Sequence, residues 1–232
     1  MPVDKVPEKN SIIFVCINNY SGVLLKTPSK TVLIDPVDVK TKNFPQLDAI
    51  LITHEHYDHL DQRLIAEIQK NTGCKVIADA TSAKKLKLLV PPESLIKTQA
   101  GDKNMLGEVR IETENCKHQA ATPVTYIITS EDDLKVWHTA DSMPFPEMAK
   151  IGLKDDLDVV FCTVGIALGA SAEKGSEIAW LTKPKVAVPY HSSSVESQRK
   201  FAQILRKELP KTTCVVPEVN KIYQVSRGEK KS

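Results

Sequence analysis

Ala49-Ile50-Leu51-Ile52-Thr53-His54-Glu55-His56-Tyr57-Asp58-His59-Leu60-Asp61 is the stretch whose reading decides the fold. Its first four residues form an unbroken apolar run of strand length, the pattern of a strand buried on both faces. Three of the chain's six histidines then crowd together with Glu55, Asp58 and Asp61. Imidazole and carboxylate are the ordinary nitrogen and oxygen ligands of zinc-like divalent ions. Alternate side chains of an extended segment point the same way, so His54 and His56 can converge on one ion. Asp58 and His59 follow where the chain turns and can serve a second ion beside it. A solvated polar loop is the bland reading, and it explains poorly why such ligands cluster directly after a buried strand.

Outward from this stretch the chain alternates strand-like and helical segments. Ile12–Ile17, Gly22–Lys26 and the β-branched Thr31–Asp35 read as strands before it, the last ended by Pro36. After it, Asp61 is placed to cap a helix carrying Leu64, Ile65 and Ile68 at helical spacing, which Asn71-Thr72-Gly73 stops. Lys75–Ala78 is a strand and Thr81–Leu89 a short helix ended by Pro91-Pro92. The middle is rich in strands: Leu95–Gln99, Glu108–Asn115, Val124–Thr129 and Leu134–Thr139, with a hairpin turn at Ser130-Glu131-Asp132-Asp133. Leu157–Val164 is a buried strand followed by the small-residue loop Gly165–Gly169. Helices over Ser171–Thr182 and Val195–Leu209 flank a strand at Lys185–Tyr190, and Thr213–Val216 and Lys221–Val225 close the chain. Strands in runs with helices between them fit two packed sheets with helices outside.

A complete two-ion site needs ligands from elsewhere in the chain. His118 ends a strand-like run in Glu114-Asn115-Cys116-Lys117-His118; Asp141 follows one in Trp137-His138-Thr139-Ala140-Asp141-Ser142; His191 follows Val186-Ala187-Val188-Pro189-Tyr190. Strand ends that share an edge are where such folds assemble sites from distant sequence. A surface role for His118, a turn cap for Asp141 and a core or capping role for His191 are the competing readings. His138, on the strand just before Asp141, reads as a packed or supporting group rather than a ligand. Asp35 is placed either to support a ligand histidine or simply to end its strand. Tyr57 lines the mouth or covers the loop, and Cys116 and Cys162 read as small buried hydrophobes. No Ser-His-Asp arrangement is apparent, and Lys174-Gly175-Ser176 lacks the rest of a phosphate-binding loop.

His54-x-His56-x-Asp58-His59 matches the H-x-H-x-D-H signature of the metallo-β-lactamase superfamily, and the order His118, Asp141, His191 is also similar to that family. The resemblance implies an α+β fold, a four-layer αββα sandwich, with residues 1–232 forming one hydrolase domain. It implies one ion on His54, His56 and His118, a second on Asp58, His59 and His191, and Asp141 bridging them. Two ions about 3.5–4 Å apart share a water and bring its pKa towards ~7, making a hydroxide that attacks carbonyl carbon or phosphorus. Asp58 is the implied catalytic residue, orienting or deprotonating that water. Oxygen-reducing diiron relatives carry a carboxylate where His56 stands, so His56 favours hydrolysis, with zinc first and manganese or iron as alternatives. Leu60-Asp61 after the motif resembles the branch of L-ascorbate-6-phosphate lactonase and N-acyl-phosphatidylethanolamine phospholipase D. Two departures bear on substrate: Ile17-Asn18-Asn19-Tyr20-Ser21-Gly22 replaces that branch's Gly-His-Ala element, and Ser192-Ser193-Ser194 follows the last histidine where a bulky residue is usual.

Composition narrows the partners. At 232 residues and 41% hydrophobic the chain can bury a large core, favouring one domain over two. A net charge of +2 with both signs interspersed leaves no electrostatic footprint for nucleic acid, and the basic end Lys230-Lys231-Ser232 reads as a solvated terminus. Met1–Asn10 is polar, unlike a secretory signal, and no apolar run approaches the ~20 residues that span a bilayer. Five scattered cysteines read as reduced thiols, which points to the cytoplasm. The expected activity is cleavage of an ester, lactone or phosphodiester of a small, sometimes phosphorylated metabolite. The alternatives are a nuclease acting on RNA or DNA and a non-catalytic metal-stabilised binding protein. A homo-oligomer is left open.

Overall fold

Continuous apolar runs lay down the first sheet. In the computed structural model, which describes residues 5–40 and 44–227, β1 (Ser11–Cys16), β2 (Val23–Lys26), β3 (Thr31–Ile34), β4 (Ala49–Ile52), β5 (Lys75–Asp79) and β6 (Leu95–Thr98) lie side by side in chain order. The first three pair antiparallel; β3 to β6 run parallel, with a helix crossing over between β4 and β5 and another between β5 and β6. Seven more strands, β7 (Lys103–Leu106), β8 (Val109–Asn115), β9 (Val124–Thr129), β10 (Lys135–His138), β11 (Val159–Thr163), β12 (Val186–Tyr190) and β13 (Thr213–Cys214), build the second sheet in the same manner, antiparallel to β10 and parallel beyond it. β14 (Tyr223–Ser226) returns to the first sheet beside β1.

The period of two decides what each face buries. Ile12, Phe14 and Cys16 of β1 enter the core between the sheets, together with Tyr126, Phe161 and Tyr190 from the opposite sheet. Ile13 and Val15 point the other way, onto Ile65 and Ile68 of α1 (Gln62–Thr72) and Ala83 and Leu86 of α2 (Ala80–Leu86). On the far side, Trp137, Val160 and Cys162 pack under α3 (Glu147–Asp155), α4 (Ala172–Thr182) and α5 (Val195–Glu208). The result is the four-layer αββα sandwich expected from the sequence. Central strands buried on both faces explain the continuous apolar runs of β4 and β11.

Most segment boundaries fall within two residues of those read from the sequence. Asp61 does cap α1, accepting from the backbone N–H of Arg63 and Leu64, and Gly73 closes it in the left-handed conformation that glycine adopts without steric cost. Two elements have no counterpart in the sequence reading. β7 is a sheet-edge strand of half-exposed, mixed residues, and α3 anchors itself through a lone fully buried Met148 after a proline-rich turn. Neither carries the apolar periodicity that reveals the other elements. The expected helix at Thr81–Leu89 stops at Leu86, and the Thr213–Val216 strand keeps two residues. The Lys230-Lys231-Ser232 end lies outside the described residues, as do the first four residues of the amino-terminal segment. No helix among the described residues is long and apolar enough to cross a membrane.

Candidate metal centre

Every sequence-predicted ligand sits just past the carboxyl end of a strand: His54, His56, Asp58 and His59 after β4, His118 after β8, Asp141 after β10 and His191 after β12. The two sheets pack so that these ends open on one edge. There the seven residues fall into overlapping clusters: His54, His56 and His118; His54, His59 and Asp141; Asp58, His59 and His191.

Asp141 lies between the two groups. Its Oδ2 faces His118 Nε2 at 3.7 Å and His54 Nε2 at 3.9 Å. Its Oδ1 faces His59 Nε2 and His191 Nδ1, each at 3.2 Å. His56 Nδ1 lies 3.2 Å from His118 Nε2, His59 Nε2 3.2 Å from His191 Nε2, and His191 Nε2 3.4 Å from Asp58 Oδ2. Two imidazole nitrogens at such a distance can share only one proton, leaving lone pairs aimed at the same space. His54 Nε2, Asp141 Oδ1 and His191 Nδ1 are buried with no hydrogen-bond partner. Buried polar atoms are ordinarily satisfied, so the donor set fits divalent cations: nitrogen-rich on one side, mixed carboxylate and imidazole on the other.

Electrostatics carries the same imprint. Burial holds His54 well below the usual imidazole range and lowers His118 as well, which favours the neutral form a ligand needs. Burial also works against charge on His59, but Asp141 and Asp35 together outweigh it and hold that imidazole up at about 10. Asp141, despite burial, is held below the carboxylate range by His59 and His191.

The chain around these side chains is built to fix them. Asp35 is fully buried and accepts from His59 Nδ1 at 2.8 Å, from the backbone N–H of Thr53 at 2.8 Å and from Thr53 Oγ1 at 2.6 Å. It therefore fixes the His59 ring as well as ending β3. Thr53 Oγ1 also lies 3.0 Å from His54 Nδ1, leaving Nε2 to face the centre. Ser142 Oγ accepts from the Lys117 N–H, and the Met143 N–H donates to Lys117 O, tying the His118 loop to the Asp141 turn. Asp35, Ala140 and His191 all have positive φ without being glycine, at 44°, 48° and 56°. Strained backbone of this kind costs on the order of 1–3 kcal/mol per residue and gathers at functional sites. Gly165 lets the loop after β11 approach: a Cβ there would lie 2.8 Å from Ser192 Oγ.

Other candidates are placed outside the ligand clusters. Glu55 is half-buried and accepts from the Ala121 N–H. Tyr57 is 90% exposed at the rim. Cys162 belongs to the core under the helices, and the Cys116 thiol is pushed well up by burial, so neither is a poised thiolate. Sequence reasoning passed over Thr53 and Ser142, whose residue types give no signal apart from their neighbours in space.

His138 is completely buried between the sheets, its ring 4.6 Å from Tyr190 and 5.6 Å from Phe161, and neither ring nitrogen meets a protein partner. Burial, with His59 adding to it, holds its pKa down at about 3. Between that value and the ordinary ~6.5, the unfolded chain binds a proton that the folded chain does not. The stability contribution is therefore whole above pH ~6.5 and falls as the pH drops towards 3, by about 1.4 kcal/mol per unit. His138→Leu is expected to flatten this acid limb: its urea midpoint should fall less between pH 7 and pH 5 than that of the wild type. Identical pH dependence in the two would refute the assignment.

Two mixed sheets between helices, with imidazoles and carboxylates converging at their shared edge, define a protein of the metallo-β-lactamase fold with a metal-site donor set. The chain belongs to the Beta-lactamase superfamily domain family, whose model matches residues 15–192. It is 29% identical over 206 residues to a UPF0173 protein of Pyrococcus abyssi, covering 82% of this chain and 93% of that one. It is 24% identical to a UPF0173 metal-dependent hydrolase of Thermodesulfovibrio yellowstonii, covering 82% of each. Among solved structures, Igni18, a metallo hydrolase from Ignicoccus hospitalis, superposes with a TM-score of 0.80 at 20% identity, over 94% of this chain and all of that one.

Proposed function

We propose that this chain is a dinuclear metal-dependent hydrolase that cleaves an ester, lactone or phosphodiester bond in a small metabolite. The observation that carries this is Asp141, whose two oxygens face separate imidazole groups, the disposition of a bridging ligand. His54, His56 and His118 would hold one ion; Asp58, His59 and His191 the other. The mixed nitrogen and oxygen donors suit zinc first, and manganese or iron next. Such ions, when bound, lower the pKa of a shared water towards ~7 and offset charge that develops on the substrate.

The protein's own groups do the rest. Asp58 is half-buried beside His191, with its carboxyl held below the usual range by the opposing effect of His191 and His59 on its burial cost, so it stays ionised at neutral pH. It can accept a proton from a nucleophilic water or fix its orientation. Asp35 and Thr53 hold the His59 and His54 rings at their angles. The names of the UPF0173 relatives and of Igni18 support hydrolysis, and Leu60-Asp61 supports the lactonase and phospholipase-D-like branch. The test is metal analysis of protein purified from metal-replete cells, followed by turnover of a panel of phosphodiesters, lactones and thioesters with zinc, manganese or iron. Up to two ions per chain and turnover that a chelator removes are expected. No metal uptake, or no turnover on the whole panel, would sink the reading.

A further inference from the structure

We propose that Glu55 and Thr122 are positioning residues: they latch the loop carrying His118 onto the first sheet and so set the metal affinity of the group formed by His54, His56 and His118. This rests on the metal-dependent reading above. His54 and His56 follow β4 of the first sheet, whereas His118 follows β8 of the second. The group is therefore complete only while residues 116–123 are held across the edge between the sheets.

The loop is tied on both sides. Within its own sheet, the bonds of Lys117 to Ser142 and Met143 fix its start. Further bonds run to the first sheet. The Ala121 N–H donates to Glu55 Oε1 at 2.9 Å, and Glu55 stands between His54 and His56 in the chain. The Thr122 hydroxyl donates to Asp79 Oδ2 and accepts from the Thr81 N–H at 2.9 Å. Just past the loop, the Val124 N–H donates to Thr53 O at 3.0 Å.

The anchors are fixed more firmly than the loop. Asp79 is fully buried at the end of β5 and caps α2 through the backbone N–H of Thr81 and Ser82. A cap needs only those N–H groups; the Thr122 hydroxyl is an additional donor, brought from the other sheet. On the Glu55 side, Lys85 of α2 donates to the Glu55 carbonyl oxygen at 3.3 Å. Both carboxylates are charged acceptors, which bind N–H and O–H more strongly than neutral ones do. His118 Nε2 lies 3.2 Å from His56 Nδ1, so a small drift of the loop would spoil the convergence of their lone pairs. None of these latch bonds involves Asp58, His59 or His191, so their loss should weaken one group of donors and spare the other.

The experiment uses the full chain, isotopically labelled at its histidine nitrogens and titrated with zinc buffered by a competing chelator. The NMR signals of His56 and His118 follow one group, and those of His59 and His191 the other. In Glu55→Ala and in Thr122→Val, the free zinc that half-fills the His118 group is expected to rise about tenfold, as for loss of a partner behind a metal ligand. The His59 and His191 signals should respond at the wild-type zinc concentration. Glu55→Gln keeps an acceptor oxygen for the Ala121 N–H and should fill like the wild type, because Glu55 supplies a bond rather than a charge. Each bond is removed in its own variant, so misfolding of one leaves the other as the test. Both groups weakened alike, neither weakened, or a Glu55→Gln that behaves as Glu55→Ala overturns the latch alone. A wild type whose imidazoles do not respond to zinc overturns the metal-dependent reading and the latch with it.

Discussion

Asp141→Ala is expected to lower hydrolytic turnover by about 10³-fold or more and to reduce metal content below that of the wild type. Metal ions contribute several kcal/mol of charge stabilisation to hydrolysis, and each 1.36 kcal/mol is a factor of ten in rate. Asp141 faces His54 and His118 with one oxygen and His59 and His191 with the other, so its loss removes a donor from both groups at once. A ligand serving one ion would instead leave the opposite group intact. Metal counting together with single-turnover rates separates the cases. Full occupancy with unchanged rate in Asp141→Ala would sink the bridging assignment. The variant is also expected to lower the His59 pKa, because one of the two carboxylates that keep it charged is gone. Histidine NMR titration reads that directly on the metal-free protein.

Asp35→Asn tests the support behind the centre, with an expected 10- to 100-fold loss of metal affinity. The substitution preserves size but replaces a carboxylate that accepts three hydrogen bonds. Thr53 N–H, Thr53 Oγ1–H and His59 Nδ1–H all converge on it. Asparagine offers one acceptor oxygen: its amide opposes Thr53 Oγ1 and His59 Nδ1 if it takes the Oδ2 position, or the Thr53 N–H if it takes Oδ1, and in either case the negative charge facing His59 is lost. His59 would then lose its preferred tautomer and ring orientation, weakening Nε2 as a ligand. A chelator-competition titration measures the affinity, and thermal unfolding of the metal-free variant shows how much of the change is a folding effect. Wild-type metal affinity in a well-folded Asp35→Asn would reduce Asp35 to a strand terminator.

The distance between sequence and structure is clearest at particular residues. His54, His56, Asp58 and His59 are legible because they are packed into six consecutive positions after an apolar run. His118, Asp141 and His191 are legible only as isolated polar residues at strand ends, and the resemblance to a known family joined them to the motif. Asp35 carried two equal readings until its hydrogen bonds to His59 and Thr53 were placed. Glu55 was read only as one of the clustered carboxylates, and its partner Ala121 is 66 positions along the chain. Thr122 carried no signal, since Asp79 lies 43 positions before it. β7 and α3 were silent because an edge strand and a short helix bury too little to impose a period.

What the sequence alone determined is the local chemistry: two sheets from apolar runs, caps at Asp61 and Gly73, and a dense cluster of imidazoles and carboxylates in the turn after a buried strand. These follow from short-range sterics and burial, which act within a few residues. The tertiary structure decided which oxygens of Asp141 face which imidazoles, which carboxylate orients His59, and that Glu55 and Asp79 meet the loop carrying His118. Such relations depend on how the two sheets pack face to face and which strand ends that packing brings together. Strand register and sheet packing bring together groups over a hundred residues apart, and no local pattern encodes that distance.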